Sequence, residues 1–106
     1  MATHPIDKLF AIIESRKASD PSVSYTAKLM ATGRLKCAKK LGEEAVETSL
    51  AAVAQDKAAL ANESADLLYH LLVLWAVCGL KPEDVYAALS TREGKSGLEE
   101  MVARKD

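Results

Sequence analysis

Two pairs of carboxylates at one spacing are the residues of this chain best suited to chemistry. Glu44 and Glu47 stand three positions apart, and Glu63 and Asp66 repeat that interval after fifteen intervening residues. On a helix, positions three apart project about 60° from one another and roughly one turn along the axis. The second pair enters the run Leu67 to Cys78, in which every residue except His70 is apolar or aromatic. His70 falls on the same stripe as Glu63 and Asp66, within roughly 60°. Acids on so apolar a helix are costly unless a positive partner meets them.

If the two helices pack antiparallel, the pairs come to similar heights and four carboxylates face one gap. Two unit charges about 5 Å apart repel by roughly 3 kcal/mol at an effective dielectric of 20. Such a set either takes up protons or takes up cations. All-oxygen, all-acidic ligands select a hard ion, Mg²⁺ or Mn²⁺, over Zn²⁺. Mg²⁺ held by acids keeps open positions for water and phosphate oxygens, which suits hydrolysis of a polyphosphate. A plainer reading stands beside this one. Glu44 and Glu47 also lie on the polar side of an amphipathic helix, where solvation is the default, and Glu63 near a helix start also favours the helix dipole. His70 is read as a core histidine or as a residue supporting ligand or substrate.

Lys36 and Lys40 flank the first acid pair, one turn apart and one turn before Glu44, where they would meet phosphates brought by a metal. The alternative for Lys40 is an ordinary i,i+4 ion pair with Glu44, contributing a few tenths of a kcal/mol. Near the end, Arg92-Glu93-Gly94-Lys95-Ser96-Gly97 combines cations, two glycines and a helix start. It is a candidate anion site, but it matches no Gly-rich fingerprint and reads equally as a capped turn.

The elements that position these groups are helices. Ile6, Leu9, Phe10 and Ile13 give one helical face within residues 4 to 17, with Pro5 suited to its first turn. Asp20-Pro21 marks a loop. Ser24 is placed to cap a short helix, Tyr25 to Thr32, that stops at Gly33. A long helix follows from Arg34 to about Gln55, with Leu35, Ala38, Leu41, Ala45, Val46, Leu50 and Val53 over half its circumference and the acids opposite. Asp56 caps the apolar helix, which ends at Gly79. Pro82 opens another that ends near Arg92, and Ser96 with Glu99 suggests a last capped turn of helix. The expected fold is all-α, about five helices in one domain over residues 1 to 106, with two long antiparallel helices as its backbone. The helix through Leu74 and Trp75 is apolar on every side, more than so small a chain covers, so burial against a second copy is expected and the chain reads as a homodimer.

Composition excludes several classes. A net charge of −1 gives no reason for nucleic acid or an anionic membrane surface. The longest apolar run is too short to cross a bilayer, and the first ten residues lack the pattern of a secretory signal. Cys37 and Cys78 lie alone on separate predicted helices without CxxC spacing. Buried reduced thiols are expected of both, and a cytoplasmic location with them.

Three strings carry a resemblance. Ser24-Tyr25-Thr26-Ala27-Lys28-Leu29 through Gly33, Lys40-Leu41-Gly42-Glu43-Glu44-Ala45-Val46-Glu47, and Glu63-Ser64-Ala65-Asp66-Leu67-Leu68-Tyr69-His70 closely resemble the phosphoribosyl-ATP pyrophosphatase family. That family lies within the all-α NTP pyrophosphatase (MazG-like) superfamily. The likeness spans residues 6 to 104, including the ending from Arg92 to Leu98. It implies Mg²⁺-dependent hydrolysis of 1-(5-phosphoribosyl)-ATP to the AMP derivative and pyrophosphate, the second step of histidine biosynthesis. It also implies that Glu44, Glu47, Glu63 and Asp66 hold the metal, that Glu43 is a further ligand or orients the water, that one of the glutamates, Glu43 or Glu44, takes its proton, and that Lys40 neutralises phosphate charge. Ser24, Tyr25 and Thr26, with Lys36, His70, Arg92, Lys95 and Ser96, are the expected substrate contacts. The chain has no Cys/His set for the zinc of the cyclohydrolase fused to some members, so the pyrophosphatase step alone is expected. The competing expectations are a house-cleaning (deoxy)nucleoside triphosphate pyrophosphatase and a non-enzymatic helical dimerisation module. A di-iron carboxylate bundle needs two E-x-x-H motifs, which the sequence lacks.

Overall fold

The computed structural model describes residues 4–93. They form five helices and no strand: α1 Pro5–Ser15, α2 Tyr25–Ala31, α3 Arg34–Val53, α4 Lys57–Cys78 and α5 Pro82–Ser90. The expected last turn of helix at Ser96 and Glu99 lies outside the described residues. Local chemistry accounts for the boundaries. Ser24 Oγ accepts the Ala27 N–H at 3.1 Å, and Asp56 Oδ1 accepts the Ala59 N–H at 3.0 Å, each satisfying a donor that a helix start leaves unpaired. Pro5 and Pro82 sit at the first helical positions, where a missing N–H costs nothing.

Helices α3 and α4 are joined by Ala54, Gln55 and Asp56 alone. Contacts between them widen in sequence away from this turn, Thr48 meeting Glu63 and Glu44 meeting His70. The pair is therefore an antiparallel hairpin. The core gathers around the second half of α4, where Leu72, Val73 and Ala76 are buried with Phe10 and Ile13 of α1, Leu29 of α2 and Cys37 of α3. Tyr86 of α5 donates to Asp7 of α1 at 2.8 Å, tying the last described helix to the first.

The orientation of α3 differs from that of an ordinary amphipathic helix. Its apolar residues face outward: Leu35 is 84% exposed, Val53 79%, Leu50 59% and Val46 58%. The stripe turned to α4 is instead Cys37, Lys40, Glu44, Thr48 and Ala51, all buried or partly buried. Sequence pattern put the surplus apolar surface on α4. There Leu67, Leu71, Leu74 and Trp75 are partly covered, and Leu68 is 44% exposed. The larger open apolar face belongs to α3. Cys37 is buried as expected, but Cys78, at the last position of α4, is exposed; both are free thiols. No single helix among the described residues is long and apolar enough to cross a membrane.

Both long helices end in the same backbone motif. At α4, the Leu80 N–H bonds to Trp75 O at 2.9 Å and the Gly79 N–H to Ala76 O at 3.3 Å, with Gly79 at φ 76°. At α3, the Asp56 N–H bonds to Ala51 O at 3.4 Å and the Gln55 N–H to Ala52 O at 3.0 Å, with Gln55 at φ 59°. Glycine reaches this left-handed region without steric cost and glutamine does not. Gln55→Gly is therefore expected to stabilise the protein by about 1 kcal/mol, read as a melting temperature several degrees higher. An unchanged or lower melting temperature would contradict strain at this position.

Candidate functional site

The hairpin brings the acid pairs together. One carboxylate oxygen from each of Glu44, Glu63 and Asp66 lies within 4.8 Å of the others. Glu44 and Glu63 are partly buried and Asp66 is exposed, so the cluster lines a cleft with one wet side. Glu47 is outside this trio and exposed, yet its charge is felt within it. Burial and then the charge of Glu47, ahead of those of Asp66 and Glu44, push the Glu63 carboxyl above the ordinary glutamate range. Four acids therefore act on one another here, and among the described residues the charges that shift Glu63 are all of like sign.

Glu44 is differently placed. Its Oε1 is 3.9 Å from Lys40 Nζ and 3.7 Å from His70 Nε2. Lys40 also stands 3.8 Å from Glu43 Oε1, so the lysine is shared between two glutamates instead of forming a single i,i+4 pair. His70 is buried, its ring edge-on to Tyr69 with centroids 5.0 Å apart. Burial lowers its pKa, opposed by Glu44 and reinforced by Lys40, which favours the neutral imidazole. Its Nδ1 is buried with no hydrogen-bond partner among the described residues. Lys36 and Lys40 line an open groove of about 290 Å³ with Leu29, Glu43 and Lys39. Lys39 was not singled out in the sequence, because it lies off the acid stripe.

The segment Ser24–Thr26 is engaged within the chain. Ser24 Oγ is the α2 cap, and Thr26 Oγ1 shares a hydrogen bond of 2.6 Å with Tyr69 OH. Tyr25 is 59% exposed. Arg92 lies in the turn after α5, while Lys95 and Ser96 fall outside the described residues. Two hydroxyls escaped the sequence reading. Tyr69 anchors α2 to α4 beside His70, and Thr48 Oγ1 contacts the backbone carbonyls of both Glu44 and Glu63. The position of Thr48 one turn after Glu44 was the available signal.

The donor set fits a hard divalent cation. Every candidate ligand atom is a carboxylate oxygen, and Glu63 is held in a field that raises its affinity for positive charge. Two oxygens bound to one Mg²⁺ at about 2.1 Å stand at most about 4.2 Å apart. A spread of 4.8 Å is within reach of small carboxylate rotations or a bridging Mg²⁺ water.

Comparison with known proteins finds likeness over most of the chain. A family model described as phosphoribosyl-ATP pyrophosphohydrolase matches residues 6–93. The chain is 58% identical over 100 residues to a phosphoribosyl-ATP pyrophosphatase of Azospirillum brasilense, covering 94% of this chain and 90% of that one. It is 56% identical to one from Paramagnetospirillum magneticum and 58% to one from Parvibaculum lavamentivorans, each over 93% of this chain and 91% of the other.

The raised Glu63 pKa has a definite sign in stability. A carboxyl that binds its proton more tightly folded than unfolded favours the fold at low pH, and this contribution is lost as pH rises through the folded value. Without metal, the melting temperature of Glu63→Gln should therefore rise relative to wild type between about pH 4.3, the unfolded value, and neutrality. Excess Mg²⁺ should shift the comparison back toward wild type at neutral pH. A difference between the two proteins that is flat with pH would mean that Glu63 is simply solvated.

Proposed function

Because this chain belongs to the phosphoribosyl-ATP pyrophosphohydrolase family, we propose that the cleft between α3 and α4 is where it hydrolyses phosphoribosyl-ATP to phosphoribosyl-AMP and pyrophosphate, with Mg²⁺ held by Glu44, Glu47, Glu63 and Asp66. The reaction is the second step of histidine biosynthesis. The observation that carries the site assignment is the convergence of carboxylate oxygens from Glu44, Glu63 and Asp66, with the proton affinity of Glu63 raised.

When bound, Mg²⁺ (or Mn²⁺) neutralises phosphate oxygens and makes a coordinated water more acidic. The side chains supply the rest. Water adds at the α,β-phosphoanhydride, the bridging P–O bond breaks, and pyrophosphate departs with that oxygen. The Glu43 carboxylate is exposed and outside the acid trio; in this reading it orients the water and accepts its proton, with Glu44 the second candidate. Lys40, between these two glutamates, offsets negative charge that builds on the phosphates. Lys36 and Lys39 extend the cationic groove along α3 for the outer phosphates. His70, buried beside Glu44 with its pKa lowered by burial, backs the Glu44 carboxylate. Tyr25, exposed at the start of α2, is the member of the Ser24–Thr26 segment whose side chain is most open to a substrate.

The outward apolar face of α3 supports a homodimer. Leu35, Val46, Leu50 and Val53 leave a stripe on one helix that water would otherwise have to solvate. A second copy laid on it also stiffens the helix that carries half the acids. The free thiols Cys37 and Cys78 fit a reducing, cytoplasmic setting.

Turnover is tested by pyrophosphate release from phosphoribosyl-ATP with Mg²⁺ and with chelator, beside deoxynucleoside triphosphates as competing substrates. Glu63→Gln or Asp66→Asn should lower Mg²⁺-dependent turnover by about 10²-fold or more, the scale expected when charge-stabilising groups are lost, with the helical circular-dichroism signal intact. Full activity in both variants would remove the cleft from the mechanism. For assembly, Leu50→Lys should shift the sedimenting species from dimer toward monomer, and a monomeric wild-type protein would refute the dimer.

A further inference from the structure

We propose that Thr48 is a positioning residue for this cleft. Its hydroxyl, lodged between the backbone carbonyls of Glu44 and Glu63, sets the axial register in which the carboxylates of those two residues meet. Thr48 Oγ1 is 2.8 Å from Glu44 O and 3.1 Å from Glu63 O. The first contact is the ordinary back-bond of a helical threonine to the carbonyl four residues earlier. The second crosses to another helix, fifteen residues on, and helical habit does not explain it. One hydroxyl proton serves two acceptors, each with a spare lone pair beyond its helical bond.

Among the described residues no other side-chain hydrogen bond joins α3 to α4. The remaining facing groups include Cys37, Leu41, Ala51 and Leu60, partly or fully buried. The three-residue connection, these apolar contacts and the 3.7 Å approach of His70 to Glu44 limit the register coarsely, and the Thr48 hydroxyl is the directional hydrogen bond at the level of the acids themselves. A slip of one residue displaces a helix by about 1.5 Å. That would open the trio of oxygens now within 4.8 Å, and misplacement by about 1 Å is on the scale that costs 10²-fold in catalysis. Repulsion among Glu44, Glu47, Glu63 and Asp66 drives such a slip when no cation is bound. A tether attached to the backbone of two of those acids opposes it where it matters.

The inference rests on the assignment of the metal to this cleft, and the experiment separates the two. Mg²⁺ affinity is measured by calorimetry without substrate for wild type, Thr48→Val, Thr48→Ser and Glu63→Gln. Thr48→Val keeps the shape and removes the hydroxyl, and its Mg²⁺ dissociation constant should rise about tenfold. Thr48→Ser keeps the hydroxyl and should stay within about threefold of wild type. If valine is not accommodated, Thr48→Ser against Thr48→Ala makes the same comparison, since they differ by the oxygen alone. Wild-type affinity in Thr48→Val, or an equal loss in Thr48→Ser, overturns the role given to the hydroxyl. Undiminished Mg²⁺ binding by Glu63→Gln overturns the metal assignment itself. Loss in Glu63→Gln with Thr48→Val intact overturns the positioning role alone.

Discussion

Carboxylates facing one another across a helix hairpin repel, and everything else in this small structure has to hold them there. Glu44, Glu63 and Asp66 bring oxygens within 4.8 Å, and Glu47 adds its field from the rim. That repulsion raises the proton affinity of Glu63 and opposes a fold whose net stability is a small difference between large terms. The compensation lies elsewhere along α4. Its first half meets the acids, and its second half buries Leu72, Val73 and Ala76 against α1, α2 and the start of α3. One continuous helix carries strain at one end and the core at the other, so the site cannot relax without disturbing the packing.

The same constraint explains why α3 looks inside out. A helix that must present Lys40, Glu44 and Thr48 to its neighbour has no room on that face for leucines and valines, apart from the partly buried Leu41. Its apolar residues turn to the opposite side, where Leu35, Val46, Leu50 and Val53 stand open. Amphipathicity is kept and its sense reversed. The polar side faces inward, where the acid trio lies, and the apolar side is left open.

How far the sequence could be read follows from these two facts. Helix ends were legible because their chemistry is local: Ser24 and Asp56 cap, Pro82 starts, Gly79 stops, and the structure places each as expected. The acid pairs were legible because a three-residue interval on two neighbouring helices survives any detail of packing. The rotation of α3 was not, since periodicity reports that a helix has two faces and not which one meets the neighbour. The outward position of Cys78 was lost for the same reason, an apolar run giving no phase. Gln55 in the left-handed region escaped because only glycine or asparagine advertises that conformation. Thr48 and Tyr69 escaped because a hydroxyl has no periodicity, and its role appears only when the facing atom is known.

The cleft is also electrically graded along its length. Counting away from the turn, Glu47 and Glu63 come first, then Glu44 and Asp66, then Lys40 with His70, and last Lys36 and Lys39 on the first turns of α3. The unpaired N–H groups at that helix start add partial positive charge in the same sense. Glu44 sits at the crossover, within 4 Å of Lys40 on one side and in the acid trio on the other. A bare polyphosphate is repelled by the turn end and attracted by the far end, whereas a cation sees the reverse. In the proposed reaction a metal-bound polyphosphate would satisfy both in one orientation, with its cation toward Glu63 and its outer phosphates toward the lysines. That polarity gives the site a way to align an anhydride before any bond changes, using fixed charges that the hairpin holds in place.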